Sequence, residues 1–202
     1  KVINNLQMTN VGEMLYRFHS DESIPMKHYS VLNNLKKLVE KVGCLKVIKT
    51  SMRPGRPKGL KVNKSQTDVF RHKNIRSCVV KKGTNGTISP KLVVEYSNIP
   101  CVFNKTRKLV LAHKMYGYCY YDKEGEYGIS NRDNYVLVDY TEKEMEILNT
   151  FLNLKCIVNL FDATRYRMRY LEKYIFDFIP DITSLPDFPK EIEEQSVLSY
   201  IE

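Results

Sequence analysis

The sequence lacks tryptophan, and no apolar stretch approaches the ~20 residues that a membrane-spanning helix needs. Its five cysteines include no CxxC pair and its four histidines are scattered, so no zinc pattern is present. Such cysteines predict reduced, mostly buried thiols in an intracellular protein. The absence of a long apolar stretch predicts that the protein contacts no membrane. No signal peptide is visible, and the first residue is Lys1 rather than Met, which predicts a start further upstream.

Acidic residues are almost missing from residues 46–82, where Asp68 stands among twelve lysines and arginines. This basic segment carries a net charge of +11, more than the +9 of the whole chain. Basic side chains at this density repel one another, so they need wide exposure to solvent or an anionic partner. A polyanion such as nucleic acid supplies that partner and releases counterions on binding. The other interpretation, a solvated basic loop without a function, stays open.

Basic residues are in turn scarce at the end of the chain. From Asp177 to Glu202 there are seven acids and one lysine, which gives a net charge of −6. Such an acidic tail can fold back on a basic face, bind a partner or do neither, and the sequence does not choose among these.

Apolar periodicity predicts an α+β fold with N-terminal helices, a central twisted, mostly antiparallel sheet and a C-terminal helical pair. Helical spacing runs up to Val42, with Ser30 as the expected N-cap and Gly43 as the stop. An earlier helix is expected over about residues 10–19. Short runs rich in β-formers follow between residues 77 and 139, and they are separated by turn residues.

Local signals also predict how the later elements begin and end. A turn is expected at residues 84–87 and a hairpin at residues 122–125. Thr141 and Glu144 have the spacing of a capping box at the start of an apolar helical stripe. A second helix is expected over about residues 164–174, and regular structure is expected to end near Pro180 and Pro186.

The centre of the basic segment is Arg53-Pro54-Gly55-Arg56-Pro57-Lys58. It resembles the core of an AT-hook, in which an extended Gly-Arg-Pro centre lies in the narrow minor groove of A·T-rich DNA. The prolines favour an extended chain, and the glycine permits close approach to the groove floor. The match is partial, because the first arginine is displaced by one residue from the usual Arg-Gly-Arg-Pro.

Arginines alternate with tyrosines in residues 164–170. On a helix, Arg165 and Arg169 share one face while Arg167 points elsewhere. This combination suits phosphate contacts and base stacking. An amphipathic helix with inward tyrosines and solvated arginines explains the pattern equally well.

Residues 125–135 combine turn formers with side chains that suit base edges. Arg132, Asp133 and Asn134 match guanine, cytosine and adenine respectively. The alternative, which spacing alone favours, is a connector in which Asp133 and Asn134 bond to their own backbone. The full set of predicted DNA-binding residues is Lys49, Arg53, Arg56, Lys58, Lys61, Lys64, Arg71, Arg132, Asp133, Asn134, Arg165, Arg167 and Arg169.

Several short motifs follow one another in an order found in a known family. They are Pro90-Lys91-Leu92-Val93-Val94, Tyr120 to Gly128, Leu148 to Asn153, Arg165 to Ile175, and Ile179-Pro180-Asp181-Ile182. This order resembles the C-terminal target-recognition domain of adenine-N6 DNA methyltransferases of restriction-modification systems, over roughly residues 88–185. The resemblance implies sequence-specific binding of double-stranded DNA. It also implies a catalytic domain, in the same or another chain, as a second partner.

The chain departs from that family where methyl transfer takes place. The family requires a glycine-rich cofactor loop and an Asn/Asp-Pro-Pro-aromatic motif, and neither occurs here. The nearest string, Asn98-Ile99-Pro100-Cys101, lacks the second proline and the aromatic residue. We therefore expect no catalytic residue, metal ligand or cofactor in this chain, and whether it belongs to an enzyme stays open. S-adenosylmethionine is implied only for a separate catalytic domain.

These observations divide the chain into four predicted parts. They are a helical segment (1–45), the basic segment (46–82), an α+β recognition domain (83–185) and the acidic tail (186–202).

Two other functions stay open. A Mg²⁺-dependent DNA endonuclease would need ligands from acids such as Asp68, Glu95, Asp122, Glu124 and Glu126, although no Glu-x-Lys pair ends a strand. A non-enzymatic, basic protein-interaction module would show a tight protein partnership and DNA affinity no better than nonspecific.

Overall fold

The structure is a computed structural model that describes residues 28–50, 57–85, 88–113, 118–130, 134–163 and 170–202. Its helices are α1 (Tyr29–Val42), α2 (Glu142–Leu152), α3 (Lys155–Ala163) and α4 (Glu194–Ile201), with 3₁₀ helices at Lys173–Phe178 and Ile182–Ser184. Its strands are β1 (Ile48–Lys49), β2 (Val62–Asn63), β3 (His72–Lys82), β4 (Ile88–Ser97), β5 (Lys108–Ala112), β6 (Cys119–Asp122), β7 (Gly128–Ile129) and β8 (Asn134–Leu137). The predicted α+β class is confirmed.

The strands form two sheets where the sequence predicted one. The inner sheet has the order β1-β8-β5-β6 and is antiparallel throughout. The outer sheet has the order β2-β4-β3-β7 and is antiparallel except for the β3–β7 pair. Val110 and Val136 of the inner sheet pack with Ile75 and Ile129 of the outer sheet in a small buried cluster. This cluster holds the two sheets together.

The opposite face of the inner sheet carries the main hydrophobic core. Leu109 and Leu111 flank Val110 on β5, so the alternation of a strand sends them to the other face. They pack there with Leu148 and Phe151 of α2. The inner sheet therefore lies between a helical layer and the outer sheet.

Helix α1 confirms the predicted helix, but its start differs. The helix begins at Tyr29, and His28, in the left-handed region at φ 65°, occupies the cap position expected for Ser30. Gly43 ends the helix as predicted, with φ 83° and its N–H donating to the Val39 carbonyl at 2.8 Å. The helix expected at residues 10–19 lies outside the described residues.

The predicted capping box is present at the start of α2. Thr141 Oγ1 accepts from the N–H of Glu144 at 3.3 Å, and the Glu144 carboxylate accepts from the N–H of Thr141 at 2.7 Å. The apolar stripe that follows is divided between α2 and α3 near Asn153. The Asn153 amide bonds both backbone groups of Cys119 on the edge strand β6, at 2.9 and 3.1 Å.

The described part of residues 164–174 is not the predicted α-helix. Tyr170, Leu171 and Glu172 have no helical structure, and a 3₁₀ helix begins at Lys173. The remainder of that prediction lies outside the described residues.

Regular structure continues past Pro186, contrary to the sequence prediction. Helix α4 buries Val197 and Ile201, and a carboxylate oxygen of Glu194 accepts from the N–H of Cys156 near the start of α3 at 2.8 Å. Part of the acidic tail is therefore built into the fold. Within the described ranges, none of its acids forms an ion pair with the basic segment.

The five cysteines agree with the prediction of reduced, mostly buried thiols. Four of the five cysteines are buried, Cys44 is half-buried, and all five are free thiols. Burial raises the pKa of the Cys78 thiol to about 12.

No helix among the described residues is long and apolar enough to span a membrane.

A buried lysine ties two loops together at the end of the inner sheet. Lys108 has no exposed side-chain surface and pairs with the carboxylate of Asp122, which is 3% exposed. Its Nζ also donates to the carbonyls of Phe103 and Thr106, at 3.1 and 2.9 Å. Burial lowers the pKa of Lys108, and its bond to Asp122 counteracts that effect.

Asp122 also fixes the turn that follows β6. Its two carboxylate oxygens accept from the N–H groups of Glu126 and Tyr127, at 2.9 and 3.1 Å. The Gly125 N–H donates to the Asp122 carbonyl at 3.3 Å, so the predicted turn exists. The predicted hairpin does not, because β6 belongs to the inner sheet and β7 pairs with β3 in the outer sheet. The turn passes the chain from one sheet to the other.

Gly125→Ala is expected to destabilise the fold by at least ~2 kcal/mol. Gly125 has φ 64°, and an added Cβ would lie 2.8 Å from backbone atoms of Lys105 and Thr106. Gly59→Ala is the matched control, because Gly59 has φ 82° but open space around its Cβ position. Urea unfolding of both variants separates the steric cost from the conformational cost. Equal losses in the two variants would contradict the close approach at Gly125.

Candidate nucleic-acid interface

Four cations in the described part of the basic segment flank β2 and the start of β3, which both pair with Ser97 at the end of β4. After residues 51–56, which lie outside the described residues, the chain forms β2, which pairs with Tyr96 and Ser97 of β4. The four side chains are exposed and form no ion pair within the described ranges. We call this group the basic edge: Lys58, Lys61, Lys64 and Arg71.

Asn98 fixes the first half of the basic edge to the sheet. Its Oδ1 accepts from the Lys61 N–H at 2.7 Å, and its Nδ2 donates to the Gly59 carbonyl at 3.2 Å. Its own N–H donates to the Lys61 carbonyl at 3.2 Å. Asn98 was not predicted as part of the site, because an asparagine in a connecting segment gives no signal about a partner 37 residues away.

Asn98→Ala is expected to weaken binding of an anionic partner about fivefold, which is the effect of ~1 kcal/mol of lost pre-organisation. The salt dependence of binding should stay unchanged, because every cation remains present. Titrations at several salt concentrations give both quantities. A change in the salt slope would show that Asn98 does more than hold the segment in place.

Cations next to the basic edge are already neutralised by acids of the protein. Lys73 pairs with Glu126, and Arg76 lies 3.9 Å from the Glu95 carboxylate. The hydrogen bond between Lys73 and Glu126 raises the pKa of the lysine and lowers the pKa of the carboxyl. Residues 57–71 contain a single acid, Asp68, and the four cations of the basic edge form no such pair within the described residues. Their charge is therefore available to an external anion.

A second cluster of contacts lies at one end of the inner sheet. Thr50 donates through its N–H and its hydroxyl to the Asn134 carbonyl, at 2.9 and 3.0 Å. Asn134 is the register partner of Ala112 on β5. His113, the next residue, stacks on Tyr170 with ring centroids 4.7 Å apart. Four distant parts of the sequence meet at this place.

Three of these residues, Thr50, Asn134 and Tyr170, are next in sequence to segments that contain predicted DNA-binding residues. Seven predicted DNA-binding residues lie outside the described residues: Arg53, Arg56, Arg132, Asp133, Arg165, Arg167 and Arg169. One described neighbour of each segment belongs to the cluster above: Thr50 precedes the first segment, Asn134 follows the second and Tyr170 follows the third. These three described residues lie at the same end of the inner sheet.

The two remaining predicted residues differ in their surroundings. Lys49 is exposed on the edge strand β1, with its Nζ 5.7 Å from the centroid of the Tyr135 ring. Asn134 has no exposed surface on β8. A side chain inside the protein does not contact a base edge, so we do not include Asn134 in the interface.

Three acids considered for Mg²⁺ binding are engaged by cations of the protein. Asp122 pairs with Lys108, Glu126 pairs with Lys73, and Glu95 lies near Arg76. Among the described residues, no group of three or more His, Cys, Asp or Glu side chains is arranged to hold a metal.

No family model, curated protein or solved structure matches this chain. The resemblance to a target-recognition domain therefore stays a prediction.

The motif with the most defined spacing in that resemblance, residues 122–128, has a structural explanation. Asp122 organises the turn, Gly125 adopts a positive φ, and Tyr127 supplies a carbonyl to Lys108. A Cβ on Gly128 would lie 2.5 Å from the Asn74 side chain. Folding alone accounts for these residue types.

The resemblance implies S-adenosylmethionine only for a separate catalytic domain. Among the described residues, the connection from β8 to α2, residues 138–141, contains no glycine.

Proposed function

We propose that this chain binds double-stranded DNA through the basic edge. One observation carries the proposal: four exposed cations flank β2 and the start of β3 at one end of the outer sheet, and they form no ion pair within the described residues. Each phosphate contact releases condensed counterions and contributes about 0.9 to the slope of log K against log salt. Four contacts therefore give a slope of about −3.6 from this surface.

We propose further that the chain acts as the target-recognition part of an adenine-N6 DNA methyltransferase or restriction-modification enzyme. Two observations support this narrower form. The family motifs occur in order along residues 88–185. One described neighbour of each arginine-containing segment, Thr50, Asn134 or Tyr170, also lies at one end of the inner sheet.

Selection from a pool of randomised duplexes tests the narrower form. The wild-type chain is expected to enrich a defined sequence, and Arg132→Ala is expected to relax the preference by about 1–3 kcal/mol at the contacted base pair. Lys143→Ala, which changes the same charge on α2, is the control and should leave the preference intact. Equal recovery of all duplexes by the wild type would overturn sequence recognition and leave nonspecific DNA binding.

A further inference from the structure

The long strands β3 and β4 form a two-stranded ribbon that extends beyond the rest of the outer sheet. They pair continuously from Ser77↔Val93 to Lys82↔Ile88. The neighbouring strands stop short of this region, because β2 pairs only with Tyr96 and Ser97 and β7 pairs only with Asn74 and Ile75. Within the described structure, residues 77–82 and 88–93 have no strand beside them on either edge. We call these two stretches, together with Thr84 and Asn85 after the end of β3, the ribbon.

The two faces of the ribbon differ in their contacts. Cys78 is buried in the main core, and its register partner Leu92 packs against it. Val79 is 42% exposed, and its partner Lys91 is exposed as well. Lys81 follows on the same face, since it lies two residues beyond Val79. One face is thus anchored to the protein, while the other presents lysines to solvent.

The ribbon also has a marked charge bias. Residues 77–94 contain three lysines, Lys81, Lys82 and Lys91, and no acid. The turn at its end exposes Thr84 and Asn85, whose side chains donate and accept hydrogen bonds. This surface combines positive sides with a polar, uncharged end.

We propose that the ribbon enters the major groove of the bound duplex, an inference that rests on the proposed function. The major groove of B-form DNA is about 12 Å wide and admits a two-stranded ribbon, whose strands lie about 4.8 Å apart. Lys81 and Lys91 contact the phosphates beside the groove, and the turn with Asn85 faces the base edges. The basic edge then contacts the backbone outside the groove.

An unpaired ribbon edge is also a surface on which another protein strand can add. The lysines favour DNA over a second copy of the chain as the partner. The ribbon has three cations and no acid, so two copies of it would repel each other. Strand addition by a second copy is therefore the competing outcome of the test.

The double variant Lys81→Ala/Lys91→Ala tests the inference, with Lys143→Ala/Lys190→Ala as a control of equal charge in the helical part of the chain. The ribbon variant should flatten the salt slope of duplex-DNA binding by about 1.8, while the control leaves the slope unchanged. Circular dichroism checks folding. Lys81→Gln/Lys91→Gln, which keeps longer side chains, provides the same comparison if the alanine variant unfolds.

Duplex RNA of the same sequence separates groove entry from simple charge attraction. The A-form major groove is deep and narrow, so the ribbon does not fit it. Wild-type protein is expected to prefer the DNA duplex at least about tenfold, a difference of ~1.4 kcal/mol, and the ribbon variant should lose most of that preference. A ribbon variant that matches the control in slope and preference would overturn the ribbon inference while leaving binding by the basic edge intact.

Two other results have distinct meanings. No DNA binding by the wild type would overturn the proposed function, and the ribbon inference with it. Self-association that is lost in the ribbon variant, with DNA binding unchanged, would assign the ribbon to a second copy of the chain.

Discussion

Replacing Lys58, Lys61, Lys64 and Arg71 together with alanine is expected to flatten the slope of log K against log salt by about 3.6. Between ~50 and ~200 mM salt this corresponds to a roughly 150-fold smaller loss of affinity than the wild type shows. The physical reason is that each of these exposed cations neutralises a phosphate and releases counterions. The four positions are on the surface, so the fold should tolerate the changes.

The matched control replaces Lys41, Lys143, Lys173 and Lys190, four exposed lysines in the helical part of the chain. It changes the net charge by the same amount but should keep most of the wild-type slope. Equal slopes in the two quadruple variants would show that only net charge matters, and the basic edge would then not be the binding surface.

Asp122→Asn is expected to lower the free energy of unfolding by about 3–5 kcal/mol. The change leaves the Lys108 ammonium buried without its carboxylate, and it weakens the bonds from the N–H groups of Glu126 and Tyr127. The fold should loosen where the chain passes between the two sheets. Urea denaturation measures the loss directly.

The double variant Lys108→Met/Asp122→Asn distinguishes an unpaired charge from a general loss of packing. Removing both charges should cost less than Asp122→Asn alone, because no buried ammonium then lacks a partner. A double variant that is less stable than Asp122→Asn would show that the unpaired Lys108 ammonium is not the main cause of the lost stability.

Elements with local causes could be predicted from the sequence. The periodicity of α1, its stop at Gly43 and the capping box at Thr141 and Glu144 all depend on residues a few positions apart. The start of α1 was misplaced, because His28 takes a left-handed conformation that no propensity favours strongly. Local rules therefore gave α1 and the start of α2, with the start of α1 misplaced by two residues.

The sheet division could not be predicted, because it depends on pairings between distant residues. The turn at Gly125 has hairpin chemistry, yet the following strand β7 pairs with β3 more than 50 residues earlier in the chain. Strands of two residues, such as β2 and β7, carry no periodicity. Helix α4 follows two prolines, and its burial depends on contacts with α1 and α3.

The candidate interface was only partly predictable for the same reason. Charge density pointed to Lys58, Lys61, Lys64 and Arg71, because exposure of a dense cationic run follows from repulsion alone. Asn134 looked like a base-reading residue, but strand pairing buries it. The sequence also contains no sign that β3 and β4 extend past β2 and β7. The paired length of each strand depends on contacts between distant residues.

The most direct test is the binding of the unmodified chain to a fluorescently labelled DNA duplex, measured by anisotropy from ~50 to ~200 mM salt. We predict saturable binding at the lowest salt and a slope of log K against log salt of about −3.6 or steeper. No binding at ~50 mM salt, or an affinity that does not change with salt, would contradict DNA binding by the basic edge.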